Sequence, residues 1–92
     1  MLDSDFNPEF VKLMQNRMET SRYKYGPWKD NRVHVDALAN AITRIDHYKK
    51  TKNLEGLVDA ANFLMMEYTL PILDGAYFRA EESGESPKLV KY

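Results

Sequence analysis

The sequence predicts an all-α fold: a small helical bundle of three main helices, followed by an irregular tail and completed by oligomerisation. Apolar residues recur at helical spacing in three stretches of the chain, and no segment alternates apolar and polar residues as a strand would. The link between the second and third stretches is only about three residues long, as in a helical hairpin. We expect one helical domain at 1–73, with the hairpin at 33–69 and the tail at 74–92.

The first helix is expected from about residue 8 to residue 22. Asn7 is a favourable N-cap, Pro8 suits the first helical position, and Glu9 complements the positive end of the helix dipole. Phe10, Leu13, Met14 and Met18 then follow at helical spacing. The dipeptide at 26–27, Gly-Pro, is expected to separate this helix from the next.

The second helix is expected to begin near Asp30 or Asn31, and Asn53 is expected to cap the third, which ends before Pro71. In the tail, Gly75 and the sequence Gly-Glu-Ser-Pro at 84–87 argue against regular structure. The apolar stripe of the second helix consists of Val35, Leu38, Ile42, Ile45 and Tyr48, and two tail aromatics, Tyr77 and Phe78, are candidates to pack back on the bundle.

Composition excludes several classes of protein. The chain has 92 residues, a net charge of −1 and no cysteine, so disulfides, thiol nucleophiles and cysteine-ligated zinc are excluded. The nearly neutral charge gives no reason to expect a nucleic-acid or membrane partner. No stretch reaches the ~20 apolar residues of a membrane span, and the acidic N-terminus lacks a signal-peptide pattern. We expect a cytoplasmic protein.

The most apolar stretch, "LVDAANFLMMEY" at 57–68, contains two polar residues on one helical face, Asp59 and Asn62. A buried carboxylate is costly unless it is paired or binds a metal. One interpretation is a structural interhelical contact, with Arg44 or His47 as the partner of Asp59. The alternatives are a metal site, active or remnant, and simple exposure of both side chains.

A second candidate site is the loop "RYKYGPWKDNR" at 22–32, where basic and aromatic residues interleave. Aromatic rings stack on bases and cations pair with phosphates, so this pattern suits a nucleotide. The alternative is a structural loop in which Trp28 closes the end of the bundle. The interleaved residues are Arg22, Lys24, Lys29 and Arg32 with Tyr23, Tyr25 and Trp28. From these, the predicted nucleotide-binding residues are Arg22, Lys24, Tyr25, Trp28 and Lys29.

The stretch "DAANFLMMEY" resembles the Asp-Val-Ala-Asn-Phe-Ala-Met-Met signature of phage-type MazG-like all-α nucleoside triphosphate pyrophosphohydrolases. "KYGPWKDN", at 24–31, is similar to a basic Lys-Gly-Gly-Trp-like loop that precedes the helical hairpin in that family. The resemblance covers roughly residues 16–69, and it implies a helical oligomer that acts on nucleotides with Mg²⁺.

The resemblance also implies where metal ligands would lie. The family uses Glu-Glu-x-x-Glu on one helix and Glu-x-x-Asp on the next, because carboxylates one turn apart converge on hard cations. Asp59 matches the aspartate, but Gly56 stands at the position of the glutamate and Glu55 is one residue away. On the preceding helix, Asp46 is the one acid available. Asp59, Glu55 and Asp46 are therefore the candidate ligands for a possible Mg²⁺.

Three functions follow as hypotheses. The first is a small helical protein, plausible for a phage or prophage, that binds a nucleotide or cyclic nucleotide without catalysis and so sequesters a host signal. The second is a Mg²⁺-dependent pyrophosphohydrolase with a rebuilt site. The third is a protein-interaction module or an inhibitor of a host enzyme. In each case the apolar excess of the third helix predicts a homodimer or a higher homo-oligomer.

Overall fold

The computed structural model describes residues 5–80, and all regular structure within them is helical. Three α-helices occur: α1 at Pro8–Tyr25, α2 at Ala37–Thr51 and α3 at Glu55–Thr69. A 3₁₀ segment, Trp28–His34, lies between α1 and α2. The predicted all-α fold is confirmed for this part of the chain.

Helix α1 begins where the sequence predicts. The side-chain oxygen of Asn7 accepts a hydrogen bond from the Phe10 amide at 3.1 Å, and Pro8 is the first helical residue. The helix continues to Tyr25, three residues past the expected end. Gly26 then adopts φ 81° while its amide donates to the Arg22 carbonyl at 2.8 Å. A positive φ of this kind favours glycine, so Gly26 sets the end of α1.

The expected start of the second helix near Asp30 or Asn31 is wrong. Those residues lie in the 3₁₀ segment, and α2 begins six or seven residues later at Ala37. The effective cap is Asp36, whose carboxylate accepts from the Ala39 amide at 3.0 Å. Val35 before it is extended, which separates the two helical pieces. The helical hairpin therefore spans 37–69 rather than 33–69.

Helices α2 and α3 pack closely as the predicted hairpin. Lys52 turns the chain with φ 62°, and the Asn53 side chain accepts from the Glu55 amide at 3.0 Å. A Cβ placed on Gly56 would lie 2.8 Å from the carbonyl oxygen of Arg44 and 3.3 Å from the Cβ of Tyr48. The two backbones thus approach each other across small residues. Besides Gly56, the buried small residues of the hairpin are Ala37, Ala41 and Ala60.

Helix α1 packs against α3 through longer side chains, and the resulting core is small. Within residues 5–80 the buried hydrophobic residues are Ala37, Ala41, Val58, Ala60 and Met66, and no large side chain there is less than 2% exposed. A chain of this length has little apolar burial to stabilise it. Much of the apolar surface of the helices therefore stays accessible in the single chain.

Residues 70–80 contain neither helix nor strand, as predicted for the start of the tail. Phe78 makes an edge-on contact with Tyr68 of α3, with ring centroids 6.3 Å apart, but both Phe78 and Tyr77 remain largely exposed, at 81% and 74%. The predicted irregular sequence at 84–87 lies outside the described residues. Across 5–80, no helix is both long enough and apolar enough to cross a membrane.

Candidate functional site in the cleft between α1 and α3

A cleft opens between α1, the 3₁₀ segment and α3. Its volume is about 690 Å³, within the usual range for small-molecule sites. Its floor and walls are mostly apolar, with a few polar side chains among them. The apolar lining consists of Val11, Met14, Met18, Pro27, Trp28 and Met65, and the polar lining includes Gln15, Glu19, Ser21, Arg22, Lys29 and Asn62.

A smaller cavity of about 320 Å³ adjoins this cleft and shares Met18, Ser21 and Asn62 with it. The structure brings the five predicted nucleotide-binding residues to these two cavities. Arg22, Trp28 and Lys29 line the cleft, while Lys24 and Tyr25 line the smaller cavity. Because α1 continues to Tyr25, three of these residues, Arg22, Lys24 and Tyr25, lie on its last turn rather than in a loop.

The aromatic wall of the cleft is Trp28, at the start of the 3₁₀ segment. Its side chain is half-buried, and the Lys29 ammonium lies 5.9 Å from the centre of the ring. This distance permits a cation–π contact, which holds the positive charge at the mouth of the cleft. Trp28 thus lines the cleft from the side of the 3₁₀ segment.

Asn62 lies where the two cavities meet and is 5% exposed. Its amide nitrogen donates to the Met14 carbonyl at 3.1 Å and so joins α3 to α1. Its buried side-chain oxygen has no hydrogen-bond partner among residues 5–80. Leaving a buried acceptor unpaired is costly, so a donor from a bound molecule would be stabilised at this point.

Asp59 is paired with an arginine of α1. The Nε of Arg17 donates to Asp59 Oδ1 at 3.1 Å, and its Nη2 lies 3.2 Å from Glu55 Oε1. The hydrogen bond with Asp59 raises the pKa of the Arg17 guanidinium, aided by the negative charges of Asp59 and Glu55 and opposed by partial burial. The guanidinium therefore stays charged wherever the chain is folded near neutral pH.

The predicted partner of Asp59 was Arg44 or His47, and the structure shows a different principal partner. Arg44 is a secondary partner, with its Nη1 3.8 Å from Asp59 Oδ2 and its guanidinium over the Phe63 ring. Within residues 5–80, His47 forms no ion pair with Asp59. Arg17 lies 42 positions from Asp59 in the sequence, so no local pattern could have indicated it. The general interpretation of Asp59 as an interhelical contact agrees with this geometry.

The three candidate metal ligands do not form one cluster. Glu55 and Asp59 converge on the Arg17 guanidinium, and Asp46 is an exposed residue of α2. No group of three or more acidic or histidine side chains within residues 5–80 is placed to hold a metal ion. Arg17 thus supplies the positive charge at the point where two of the carboxylates meet.

Arg32 is buried, unlike Arg22, Lys24 and Lys29, the other basic residues of the stretch at 22–32. It is 5% exposed, and its three nitrogens donate to Glu67 Oε1 at 2.5 Å, Val35 O at 2.7 Å and Leu70 O at 3.0 Å. Glu67 also accepts from the Ile72 amide at 2.9 Å. Arg32 therefore fastens the 3₁₀ segment to the end of α3. A single arginine in a polar loop carries no sequence signal that distinguishes it from its exposed neighbours.

Comparison with known proteins identifies no relative. No protein-family model matches the chain, and no curated protein and no solved structure shows significant similarity to it.

Proposed function

We propose that the chain binds a nucleotide or cyclic nucleotide in the cleft between α1 and α3 and does not turn it over. The observation that carries this proposal is the placement of all five candidate residues around two adjoining cavities. These cavities meet at the buried side-chain oxygen of Asn62, which has no hydrogen-bond partner among residues 5–80. An apolar hollow with a few convergent polar groups is the usual form of a small-molecule site.

The larger cavity has the chemistry of a base-binding site. Trp28 offers a flat aromatic surface, and the thioethers of Met14, Met18 and Met65 are polarisable and adapt to a flat ring. Asn62 and Gln15 contribute the amides that can read the edge of a base. The side-chain oxygen of Asn62 would accept from an exocyclic amino group or a ring N–H.

The rim has the chemistry of a phosphate-binding site. Arg22 and Lys29 line the cleft, and Lys24 lines the smaller cavity beside it. Glu19, also on the rim, removes part of this positive charge. Ser21 of α1 lines the smaller cavity, and its hydroxyl can donate to a phosphate oxygen. Thr20 lines it too, but its hydroxyl already donates to the Asn16 carbonyl at 3.0 Å. A ligand whose base enters the cleft would thus place its phosphates among three cations.

The test is a titration followed by the fluorescence of Trp28, which is the single tryptophan of the chain. ATP, GTP and 3′,5′-cyclic AMP serve as probes at low ionic strength. We expect at least one probe to quench or shift the emission saturably. Arg22→Ala and Lys24→Ala should each weaken binding roughly 10-fold, since each removes a charge-assisted contact. Lys12→Ala, which removes an exposed lysine of α1 that lines neither cavity, is the matched control.

The outcomes separate the site from nonspecific attraction. Equal weakening by all three variants would mean that general charge, and not this cleft, attracts the anion. Unchanged affinity in both Arg22→Ala and Lys24→Ala would reject the rim as the phosphate site. No saturable signal with any of the three probes would contradict the proposal for these nucleotide classes.

A second candidate function is Mg²⁺-dependent pyrophosphohydrolysis, and one observation favours it. Glu55 and Asp59, one turn apart, converge on a single cation, as metal ligands do. That cation is the Arg17 guanidinium, so Mg²⁺ would have to displace it and recruit Asp46. Pyrophosphate release that requires Mg²⁺ and is lost in Asp59→Ala would support this function against non-catalytic binding.

The resemblance to MazG-like enzymes supports this proposal, since a common origin followed by loss of the metal ligands would leave binding without catalysis. Sequestration of a host signal by a phage-encoded, cytoplasmic homo-oligomer would then need the cleft and no catalytic carboxylates. The third hypothesis, an interaction module for a host protein, would use the exposed aromatic side chains instead. Retention of a specific host protein without small-molecule binding would favour that function.

A further inference from the structure

The smaller cavity beside the cleft has a volume of about 320 Å³ and differs from the cleft in its chemistry. Met18, Ser21 and Asn62 line both cavities and so mark the junction between them. The volume of the smaller cavity lies near the lower limit for small-molecule sites. It therefore suits one part of a ligand, such as a single ring system, while the rest of the ligand lies in the cleft.

The ion pairs around Asp59 determine which chemical group the smaller cavity can hold. Arg17 lies 3.1 Å from Asp59 and 3.2 Å from Glu55, and Arg44 lies 3.8 Å from Asp59. Two guanidinium groups thus face two carboxylates, and their formal charges cancel. A phosphate placed here would lie beside the Asp59 carboxylate, which lines the cavity, and like charges at short range repel each other. A neutral group therefore fits this cavity better than a phosphate does.

The other walls of the smaller cavity suit a flat, neutral ring. Tyr25 of α1 and Phe63 of α3 contribute aromatic rings, and the Arg44 guanidinium lies 5.9 Å from the centre of the Phe63 ring. Bases stack on aromatic rings and on guanidinium planes alike. Within residues 5–80, the side-chain nitrogens of Arg44 donate no hydrogen bond. They are therefore available to an acceptor on the edge of a base.

The junction of the two cavities, by contrast, carries positive charge that is not held in ion pairs. Arg22 lines the cleft and Lys24 the smaller cavity, and neither forms an ion pair within residues 5–80. Ser21, which precedes Arg22, places a hydroxyl where the cavities meet. Two cations with a hydroxyl donor suit a phosphate that connects the two cavities.

We propose that the smaller cavity is a second base site and that the ligand is a dinucleotide. Its first base would lie against Trp28 in the cleft, and its second base against Tyr25 and Phe63. The connecting phosphate would lie at the junction, beside Arg22 and Lys24. This inference rests on the proposed function, because the cleft serves as the first base site. A mononucleotide would leave one of the two cavities empty, whereas in a dinucleotide the first base holds the second at high effective concentration.

The test is isothermal titration calorimetry of the whole chain with dinucleotides and with mononucleotides of the same base. The dinucleotide probes are ApA, GpG, cyclic di-AMP and cyclic di-GMP, and the mononucleotide probes are AMP and GMP. We expect at least one dinucleotide to bind at least about 10-fold more tightly than its mononucleotide, since stacking of one base contributes that much. Charge cannot explain tighter binding of ApA, which carries one phosphodiester charge against about two charges on AMP.

The variant Tyr25→Ala tests the second base site directly. Tyr25 is 73% exposed, so its removal should hardly change the stability of the fold. Affinity for the dinucleotide should fall about 10-fold, and affinity for the mononucleotide should fall by less than about 2-fold. Tyr23→Ala is the matched control, because Tyr23 lies on the same turn of α1, is 93% exposed and lines neither cavity. It should leave both affinities unchanged.

The outcomes separate the second base site from the proposed function itself. Saturable binding of a mononucleotide, with no dinucleotide tighter than its mononucleotide, would overturn the second base site and leave the proposed function in place. Equal weakening of both ligand classes by Tyr25→Ala would also overturn it, since Tyr25 would then contact the first nucleotide. Absence of saturable binding with all six probes would overturn both.

Discussion

Helix α3 has two neighbours, and it meets them in different ways. Against α2 it packs through Gly56 and Ala60, so closely that a single added methyl group would reach the carbonyl of Arg44. Against α1 it makes contact through long side chains: the Asn62 amide, the Arg17 ion pairs and a row of methionines. The close contact leaves no room for a ligand, whereas the looser one leaves an open cleft.

The difference indicates that the α2–α3 hairpin serves as the scaffold, whereas the α1–α3 interface forms the candidate site. Backbone-to-backbone packing of small residues fixes the hairpin in one arrangement, since any shift forfeits many contacts at once. Flexible side chains across the α1–α3 interface can rearrange at modest cost, as a binding site requires. Arg32 joins the two regions, because it holds the 3₁₀ segment, and with it Trp28, at a fixed position against α3.

The largest effect is expected from Arg32→Ala, which would remove the anchor of the cleft wall. Glu67 would keep its bond from the Ile72 amide but lose its cationic partner, while the carbonyls of Val35 and Leu70 would lose their donors. Breaking one partner of a buried pair typically costs about 3–5 kcal/mol. Urea unfolding at fixed protein concentration measures the change in the free energy of unfolding.

The control for this prediction is Lys29→Ala, which removes an exposed base from the same segment. Its free energy of unfolding should change by less than about 0.5 kcal/mol. Similar free energies of unfolding in both variants would mean that the Arg32 network does not hold the 3₁₀ segment. The wall of the cleft would then not be anchored to α3.

Much of the fold could be predicted from the sequence, and the reasons are local. Asn7 and Pro8 define the start of α1 because their chemistry acts within a few residues, and the short link at 52–54 dictates the hairpin. The start of α2 was missed because Asp30, Asn31 and Asp36 all resemble caps, and which of them acts as one depends on where the 3₁₀ segment is tied to α3.

The candidate site could be predicted in part for the same reason. The five candidate nucleotide-binding residues lie close together in the sequence, so any fold would keep them near one another. The pairs Arg17 with Asp59 and Arg32 with Glu67 join residues 42 and 35 positions apart. Such pairs depend on how the helices pack. The sequence of one helix does not determine how a neighbouring helix is aligned against it.

A smaller effect is expected from Gly56→Ala, which tests the close contact directly. In an unconstrained helix this substitution stabilises by up to about 1 kcal/mol. Here the new Cβ would meet a backbone carbonyl at 2.8 Å, which cannot rotate away. We expect a net loss of about 1–3 kcal/mol in the free energy of unfolding, as for other overpacked contacts.

The sign of the change in the free energy of unfolding shows whether α2 and α3 are in close contact at Gly56. A gain in stability would show that α2 and α3 stand farther apart than the structure indicates, and the contrast between the two interfaces would disappear. A matched substitution on the open side, Met65→Leu, conserves volume at the cleft wall and should change stability by less than about 1.5 kcal/mol.

The smallest effect on stability is expected from Arg17→Ala. Its side chain is 46% exposed and Glu55 is 53% exposed, so solvent already screens most of this ion pair. Asp59 is 12% exposed and keeps Arg44 at 3.8 Å as a second cation. The expected loss is therefore at most about 1 kcal/mol, and it should shrink further at high salt. Unfolding in low and in high salt, with Lys12→Ala as the control, measures it. A loss comparable to that of Arg32→Ala would show that the α1–α3 interface is as rigid as the hairpin. In that case α1 could not yield to a ligand, and the cleft would have to accept one in its present shape.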